Sequence, residues 1–369
     1  MPPAARTVAC FVSPHGFGHA ARACAVLAEM HRRDPTLRFE LFTTVPEWFF
    51  AESLAAPFAY HTEEADVGLA QRTALVEDLD ATLLRLAGFL PFPQARLDRL
   101  AGELRSLGCA MVVCDVSPLG LAAAARAGIA AALVENFTWD WIYASYLAAR
   151  PAFRPHVDAL AAIFAAAQIR IQTAPACAPD PRFAAVEPVS RPPRTAPEEV
   201  RERLGVRAGE PLVLLTMGGV RWQHAALDDL AAQRRFAFVV PGAAEQAERR
   251  GGLIALPHRS GFHHPDLVRA ADAVIGKLGY STLAEAHAAG VPFGFVARPG
   301  FRESAVLADF AARTLPAVAV DAAELASGAY LARIPALLEL PRPSRPRPNG
   351  AGEAARILLD AMQREPGIA

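Results

Sequence analysis

Lysine is nearly missing from this chain: among 37 basic residues one is a lysine, Lys277, and the rest are arginine. An excess of either charge is missing too, because 38 acidic residues bring the formal net charge to −1. No electrostatic case follows for nucleic acid or an anionic membrane as partner. Cysteine is sparse: Cys10, Cys24, Cys109, Cys114 and Cys177 are odd in number and form no C-x-x-C. That pattern argues against a disulfide frame or zinc site and reads as reduced thiols in a cytoplasmic protein. Long apolar runs are lacking as well. Stretches such as "ALAAIFAAA" (159–167) fall short of the ~20 residues a bilayer span needs, so no transmembrane segment is expected. The start, "MPPAARTVAC", has no apolar signal-peptide core. The 53% hydrophobic content owes much to alanine.

What is present is alternation. "TVACFVS" (7–13), "LRFELFTT" (37–44), "CAMVVCD" (109–115), "IAAALVE" (129–135) and "QIRIQT" (168–173) read as strands, with helical patterns over 19–33, 46–55, 69–107, 117–127 and 137–167. Apolar strands alternating with helices indicate a parallel sheet covered on both faces. The proline-rich "EPVSRPPRTAP" (187–197) can continue neither element. Beyond it the alternation restarts with "PLVLLTMGG" (211–219), "RFAFVVPG" (235–242), "GLIALP" (252–257), "ADAVIG" (271–276) and "VPFGFVA" (291–297). The expectation is two doubly wound, Rossmann-like α/β domains facing across a cleft. The first covers 1–190, a linker 191–197 and the second 198–345. A last helix within 346–369 is expected to cross back to the first.

"SPHGFGHAAR" (13–22) stands where the first strand ends, the place where open α/β sheets bind ligands. Gly16-Phe17-Gly18 with Ala21 fits the dinucleotide fingerprint, which also wants an acidic residue closing the second strand. Glu40 lies mid-strand instead, so a dinucleotide site is not favoured; a plain tight turn is the bland alternative. The stretch 263–304 is more informative. "ADAVIG" is a strand, "GKLG" a turn, and "YSTLAEAHAAG" a helix ending at Gly290 with Pro292 beyond. Gly279, Tyr280, Ser281 and Thr282 thus meet a helix N-terminus at a strand's carboxyl end, which suits a phosphate. Glu285, one turn on, could accept from ribose hydroxyls or simply be a solvated carboxylate.

That stretch resembles the donor-nucleotide segment of GT-B glycosyltransferases of the MurG-like type. Gly279, Thr282, Glu285, Ala289-Gly290 and Pro292 stand at the family's Gly-rich turn, Thr-x-x-Glu and Ala-Gly-x-Pro places. It is also similar to the glycosyltransferase-like segment ahead of some plant sugar kinases. "SPHGFGHAAR" corresponds to the family's Gly-His loop, with Gly16, Phe17 and Gly18 on the acceptor side. "VENFTWDWIY" (134–143), with Glu135, Asn136 and Trp139, corresponds to a Glu-x-Asn acceptor segment. "TMGG", with Gly218 and Gly219, and "SGFHH", with Phe262 and His263, correspond to donor loops.

The resemblance implies a nucleotide-sugar co-substrate, UDP-linked, on the C-terminal domain, and a small-molecule or lipid-linked acceptor on the N-terminal one. It implies no cofactor and no metal; "DLD" (78–80) lies in an amphipathic helical pattern. Proton removal from the acceptor asks for a histidine. His19 matches the family's loop histidine and is the expected base, with His15 as the other candidate. Asp115 either orients the imidazole or caps the helix that begins at Ser117-Pro118. Lys277 precedes the phosphate turn and offers a compact charge to a diphosphate. Arg298 and Arg302 lie in the loop that reads the donor sugar in the family. There Glu303-Ser304 replace a pair of glutamines, which argues against N-acetylglucosamine as donor. Phe137, Trp139, Trp141, Tyr143 and Tyr146 present two helix faces, one for core and one available to stack on a sugar. A nucleotide-sugar hydrolase using the same histidine on water, or a non-catalytic nucleotide-sugar-binding protein, are the alternatives.

Overall fold

The computed structural model describes residues 6–73, 75–217, 227–343 and 347–363. The strands in chain order are Arg6–Val12 (β1), Leu37–Thr43 (β2), Phe58–Thr62 (β3), Gln71–Thr73 (β4), Val76–Glu77 (β5), Cys109–Asp115 (β6), Ala131–Glu135 (β7), Ile169–Thr173 (β8), Ala184–Val186 (β9), Leu212–Thr216 (β10), Ala237–Pro241 (β11), Glu248–Arg250 (β12), Leu253–Leu256 (β13), Ala273–Lys277 (β14), Phe293–Val296 (β15) and Ala317–Ala319 (β16).

The chain forms two compact units. One contains the residues up to Gln71, Glu77–Ser190 and those from Asn349 on; the other contains Arg72–Val76 and Arg191–Pro348. In the first, seven strands run in the order β3-β2-β1-β6-β7-β8-β9, and every pairing is parallel. In the second the order is β12-β13-β11-β10-β14-β15-β16; only the β12 edge is antiparallel. Each sheet reverses direction of winding beside its first central strand, β1 or β10, which opens a crevice at the strands' carboxyl ends.

Burial on both faces explains the apolar strands. Along β10, Leu212 and Leu214 join one core cluster while Val213 and Leu215 join another, as the period of two requires. In the first unit Gly120 lets the helix Pro118–Ala127 lie directly on the sheet, since a Cβ there would stand 2.6 Å from Cys114 Sγ and Phe11 Cβ. Gly276 does the same for strand packing: its Cβ would meet the Thr216 carbonyl oxygen at 2.0 Å.

The structure corrects the single helical pattern expected over 69–107. Helices occupy Leu79–Phe89 and Gln94–Ser106, and the chain before them is extended. Pro91 and Pro93 interrupt the run, because proline lacks the N–H that a helix interior needs. Asp78 is the cap of the first of these helices, accepting from the Ala81 N–H at 3.0 Å. The strand before the "GKLG" turn runs one residue further than expected, with Lys277 still in β14.

Candidate active site

In the first unit the carboxyl ends of β1, β6, β7 and β8 converge on a buried polar cluster. The helix Phe17–Arg33 begins at Gly16, whose φ of 75° is accessible to glycine and strained for most other residues. This entry turns His19 and Arg22, three residues apart on one helix face, toward Asp115 at the end of β6. His19 Nδ1 lies 2.8 Å from Asp115 Oδ1. Arg22 grips the same carboxylate with two bonds, Nε to Oδ2 at 2.8 Å and Nη2 to Oδ1 at 2.7 Å. Its Nη1 donates to Asn136 Oδ1 at 2.8 Å and to Thr173 Oγ1 at 3.3 Å.

Burial pushes the Asp115 carboxyl up, but the Arg22 charge and the hydrogen bonds from Arg22 and His19 outweigh it and hold the group below the ordinary carboxylate range. An ionised Asp115 only accepts, so His19 Nδ1 carries the proton and Nε2 holds the free lone pair. The 3.4 Å approach of Arg22 Nη2 to Nδ1 is therefore a meeting of two donors. Val116, directly after Asp115, has φ 56°, an outlier for a β-branched residue. The helix cap that the sequence offered to Asp115 belongs to Ser117, whose Oγ accepts from the Gly120 N–H at 3.1 Å.

Other residues expected on the acceptor side have structural partners. Phe17 stacks on Phe49 with centroids 4.8 Å apart, and Gly18 is within the helix. Glu135 is buried and bound by Arg170 at 3.0 Å and Gln172 at 2.9 Å. Trp139 is a correction: it is 2% exposed, stacks on Tyr143, and donates its Nε1–H to Asp66 Oδ2 at 2.8 Å, so it offers no open face to a sugar. His15 packs edge-on against Trp139, and its Nδ1 accepts from the Leu69 N–H at 3.4 Å, which makes it a prop between two loops. Glu40 pairs with His61 at 2.6 Å. Asp66 and Arg22 are the functional candidates missed or passed over by sequence reasoning; Asp66 sits in an irregular stretch with no periodic signal.

In the second unit the helix Tyr280–Ala289 starts from Gly279 with no side-chain cap hydrogen bond. Tyr280 and Ser281 are half-buried and Thr282 is buried. Lys277 lies partly buried at the end of β14; burial first, then the Arg298 charge, lowers its ammonium to about 7, with Glu303 opposing. Glu285 is 3% exposed, and both its oxygens are engaged: Arg191 Nη2 donates to Oε1 at 3.0 Å, and His264 Nδ1 stands 2.5 Å from Oε2. A solvated role for this carboxylate is thereby excluded. His264 Nε2 reaches Thr216 Oγ1 at 3.1 Å, so the imidazole beside Glu285 is that of His264, whereas the donor-loop histidine named from the sequence is His263. That neighbour faces the Pro192 carbonyl at 3.2 Å, and burial with Arg191 and Arg194 lowers it to about 4. Phe262 lies under the Arg203 guanidinium.

Arg298 and Glu303, expected to read the donor sugar, bind each other at 2.6 Å, and the Arg298 guanidinium lies 3.5 Å over the Phe301 ring. Arg302 precedes the helix Glu303–Thr314 and is exposed. Gly218 and Gly219 lie outside the described residues. No group of three or more His, Cys, Asp or Glu side chains is arranged for a metal ion among the described residues. No helix among them is long and apolar enough to cross a membrane.

Two doubly wound sheets in one chain, parallel except at the β12 edge, are the architecture of GT-B glycosyltransferases. Comparison with solved structures bears this out. The calicheamicin glycosyltransferase CalG4 superposes with a TM-score of 0.59 at 18% identity, covering 97% of this chain and 94% of that one. A UDP-glucosyltransferase from Polygonum tinctorium gives 0.60 at 15%, covering 99% and 100%. MurG of Acinetobacter baumannii gives 0.53 at 15%, covering 97% and 99%. By sequence, the chain is 32% identical over 305 residues to L-arabinokinase of Arabidopsis thaliana; the match takes in 80% of this chain and 29% of that protein's length. No protein-family model matches the chain.

Proposed function

We propose that the chain transfers a sugar from a nucleotide-sugar donor, UDP-linked, to a hydroxyl acceptor, with His19 as general base. The observation that carries this reading is the His19–Asp115 pair, at 2.8 Å, in a chain of glycosyltransferase fold. Its Nε2 takes the acceptor proton as the acceptor oxygen bonds to the anomeric carbon. The bond from that carbon to the diphosphate oxygen breaks, and the nucleoside diphosphate leaves. A single displacement of this kind inverts the anomeric centre. Asp115 holds the tautomer, in the manner of an orienting carboxylate. On the donor unit, the N-terminus of the helix that begins at Tyr280, the Ser281 hydroxyl and Lys277 stabilise the leaving diphosphate.

Incubating the protein with a panel of nucleotide sugars, with and without hydroxyl acceptors and with EDTA present, tests the reading. Transfer to an acceptor supports it. Nucleotide release with water alone replaces it by hydrolysis, and binding with no release leaves a sugar-nucleotide-binding protein.

Lys277 supplies a separate expectation. An ammonium near 7 is mostly neutral at pH 8, and a bound diphosphate favours its charged form. Binding of UDP at pH 8 is therefore expected to take up as much as about one proton, falling toward none at pH 6, where the group is already charged. Calorimetry in buffers of differing ionisation enthalpy measures this directly. Lys277→Met should abolish the uptake; an unchanged uptake would remove Lys277 from the phosphate site.

A further inference from the structure

The His19–Asp115 pair has an electrostatic deficit. Asp115 already carries the Arg22 guanidinium on both oxygens, so the two together are net neutral. When His19 takes a proton, its nearest carboxylate has no uncompensated charge to offer, and the Arg22 Nη2 at 3.4 Å repels it. A second carboxylate stands in the same cluster. Asp66 is 1% exposed; Oδ2 accepts from Trp139 Nε1, and Oδ1 is buried with no hydrogen-bond partner among the described residues. Trp139 bridges the two sites, its ring centroid lying 6.4 Å from that of His19. The Asn136 Nδ2 is likewise buried and unpartnered, its Oδ1 being fixed toward Arg22.

We propose that Asp66 is a positioning residue for His19, the uncompensated carboxylate that stabilises the imidazolium formed when His19 removes the acceptor proton. The inference rests on the transfer reading above for its catalytic meaning, while the pairing itself does not. The groups that face Asp66 are Ser13, Trp139, His19, Tyr143 and, at longer range, Arg85, which is itself paired with Glu64 at 2.8 Å. Those that face His19 are Asp115, Arg22 and Asp66, with the rings of Phe137 and Trp139. Burial raises the Asp66 carboxyl to about 6, with Ser13, His19, Trp139 and Arg85 opposing the rise. At pH 7 and above the group is thus largely ionised despite its burial, and below 6 it is neutral.

Two measurements separate this from a structural role. Coupling between titrating sites is reciprocal, so the Asp66 carboxyl itself reports on His19. In carbon-detected NMR of protein labelled at aspartate carboxyls, with Asp66→Asn assigning the resonance, His19→Gln is expected to raise the Asp66 midpoint. An unmoved midpoint in folded His19→Gln overturns the pairing, whatever the enzyme turns over. The second measurement is the pH–rate profile of Asp66→Asn, which keeps an oxygen for Trp139 Nε1. Its turnover should be lower than wild type by about 10-fold or more above pH 7, the scale of one opposite charge nearby. The gap should close toward pH 5, where wild-type Asp66 is neutral too. Because burial disfavours the charge, the variant should be at least as heat-stable as wild type at pH 8, so lost turnover is not unfolding. A wild-type rate at every pH overturns the inference and leaves the transfer reading standing. If no nucleotide sugar is turned over by wild type, the transfer reading fails and the NMR result alone decides the pairing.

Discussion

His19→Ala is expected to lower turnover by about 10²–10⁴-fold, the range for loss of a positioned general base. Nucleotide affinity should stay within about twofold, since an imidazole acting on the acceptor spends nothing on holding the donor. Asp115→Asn should follow it in direction: the amide can present its N–H to Nδ1, turn the wrong tautomer outward and leave the buried Arg22 charge uncovered. His15→Ala should cost less, because His15 packs on Trp139 and accepts from the Leu69 amide, the contacts of a loop support. Single-turnover rates and calorimetric UDP affinities on the same preparations check the pattern. If His19→Ala keeps its turnover while nucleotide binding collapses, the opening loop is a phosphate cradle and the base must be sought elsewhere.

Much of the fold was legible because both sheets are covered on both faces. A strand buried on both faces must be apolar through its middle, and β1, β6, β10 and β14 read that way, with polar residues only at their ends. The strands that escaped notice sit at or next to edges, where one flank is free and the apolar signal fades. β12 is Glu-Arg-Arg, exposed at all three positions, and β9 and β16 are each three residues long. β3, "FAYHT", is partly exposed along its length and shows no continuous apolar run.

The site was legible as positions and illegible as partnerships. The loop, the strand end and the capless helix all announce themselves by local chemistry. That His19 meets Asp115 is a contact across 96 residues, and Arg22 reaches Thr173 across 151. Nothing in local periodicity encodes such pairs. Asp66 is harder still: its meaning lies in burial and in the charge already spent between Arg22 and Asp115, neither of which has a sequence signature. The Arg298–Glu303 bond is a pairing of the same kind, between two residues the sequence singled out separately.

Glu285 joins both levels, and its removal should have the largest effect on stability. Burial alone pushes this carboxyl up; the charges and hydrogen bonds of His264 and Arg191 overcome that and bring it down to about 2 from an ordinary 4.5. A folded-state value below the unfolded one gives stability that is complete above about pH 4.5 and is lost as pH falls toward 2, about 3 kcal/mol in all. Glu285→Ala goes further, since it removes the buried carboxylate that the Arg191 guanidinium, 7% exposed, is bonded to. Breaking a buried pair from one side costs roughly 3–5 kcal/mol, and in a unit of this size each kcal/mol moves the midpoint by about 2–4 °C. Melting of the second unit should therefore fall by roughly 6–20 °C at pH 7, and the gap to wild type should narrow as wild type is acidified below 4.5. Scanning calorimetry across pH checks both. The ribose role is tested on a separate axis: if Glu285 also accepts from ribose hydroxyls through its remaining lone pairs, wild type should bind a 2′,3′-dideoxy analogue of UDP about 10- to 150-fold more weakly than UDP. Folded Glu285→Gln should lose that discrimination. Equal affinity of wild type for the two nucleotides would confine Glu285 to holding Arg191, His264 and, through His264, the Thr216 hydroxyl at the end of β10.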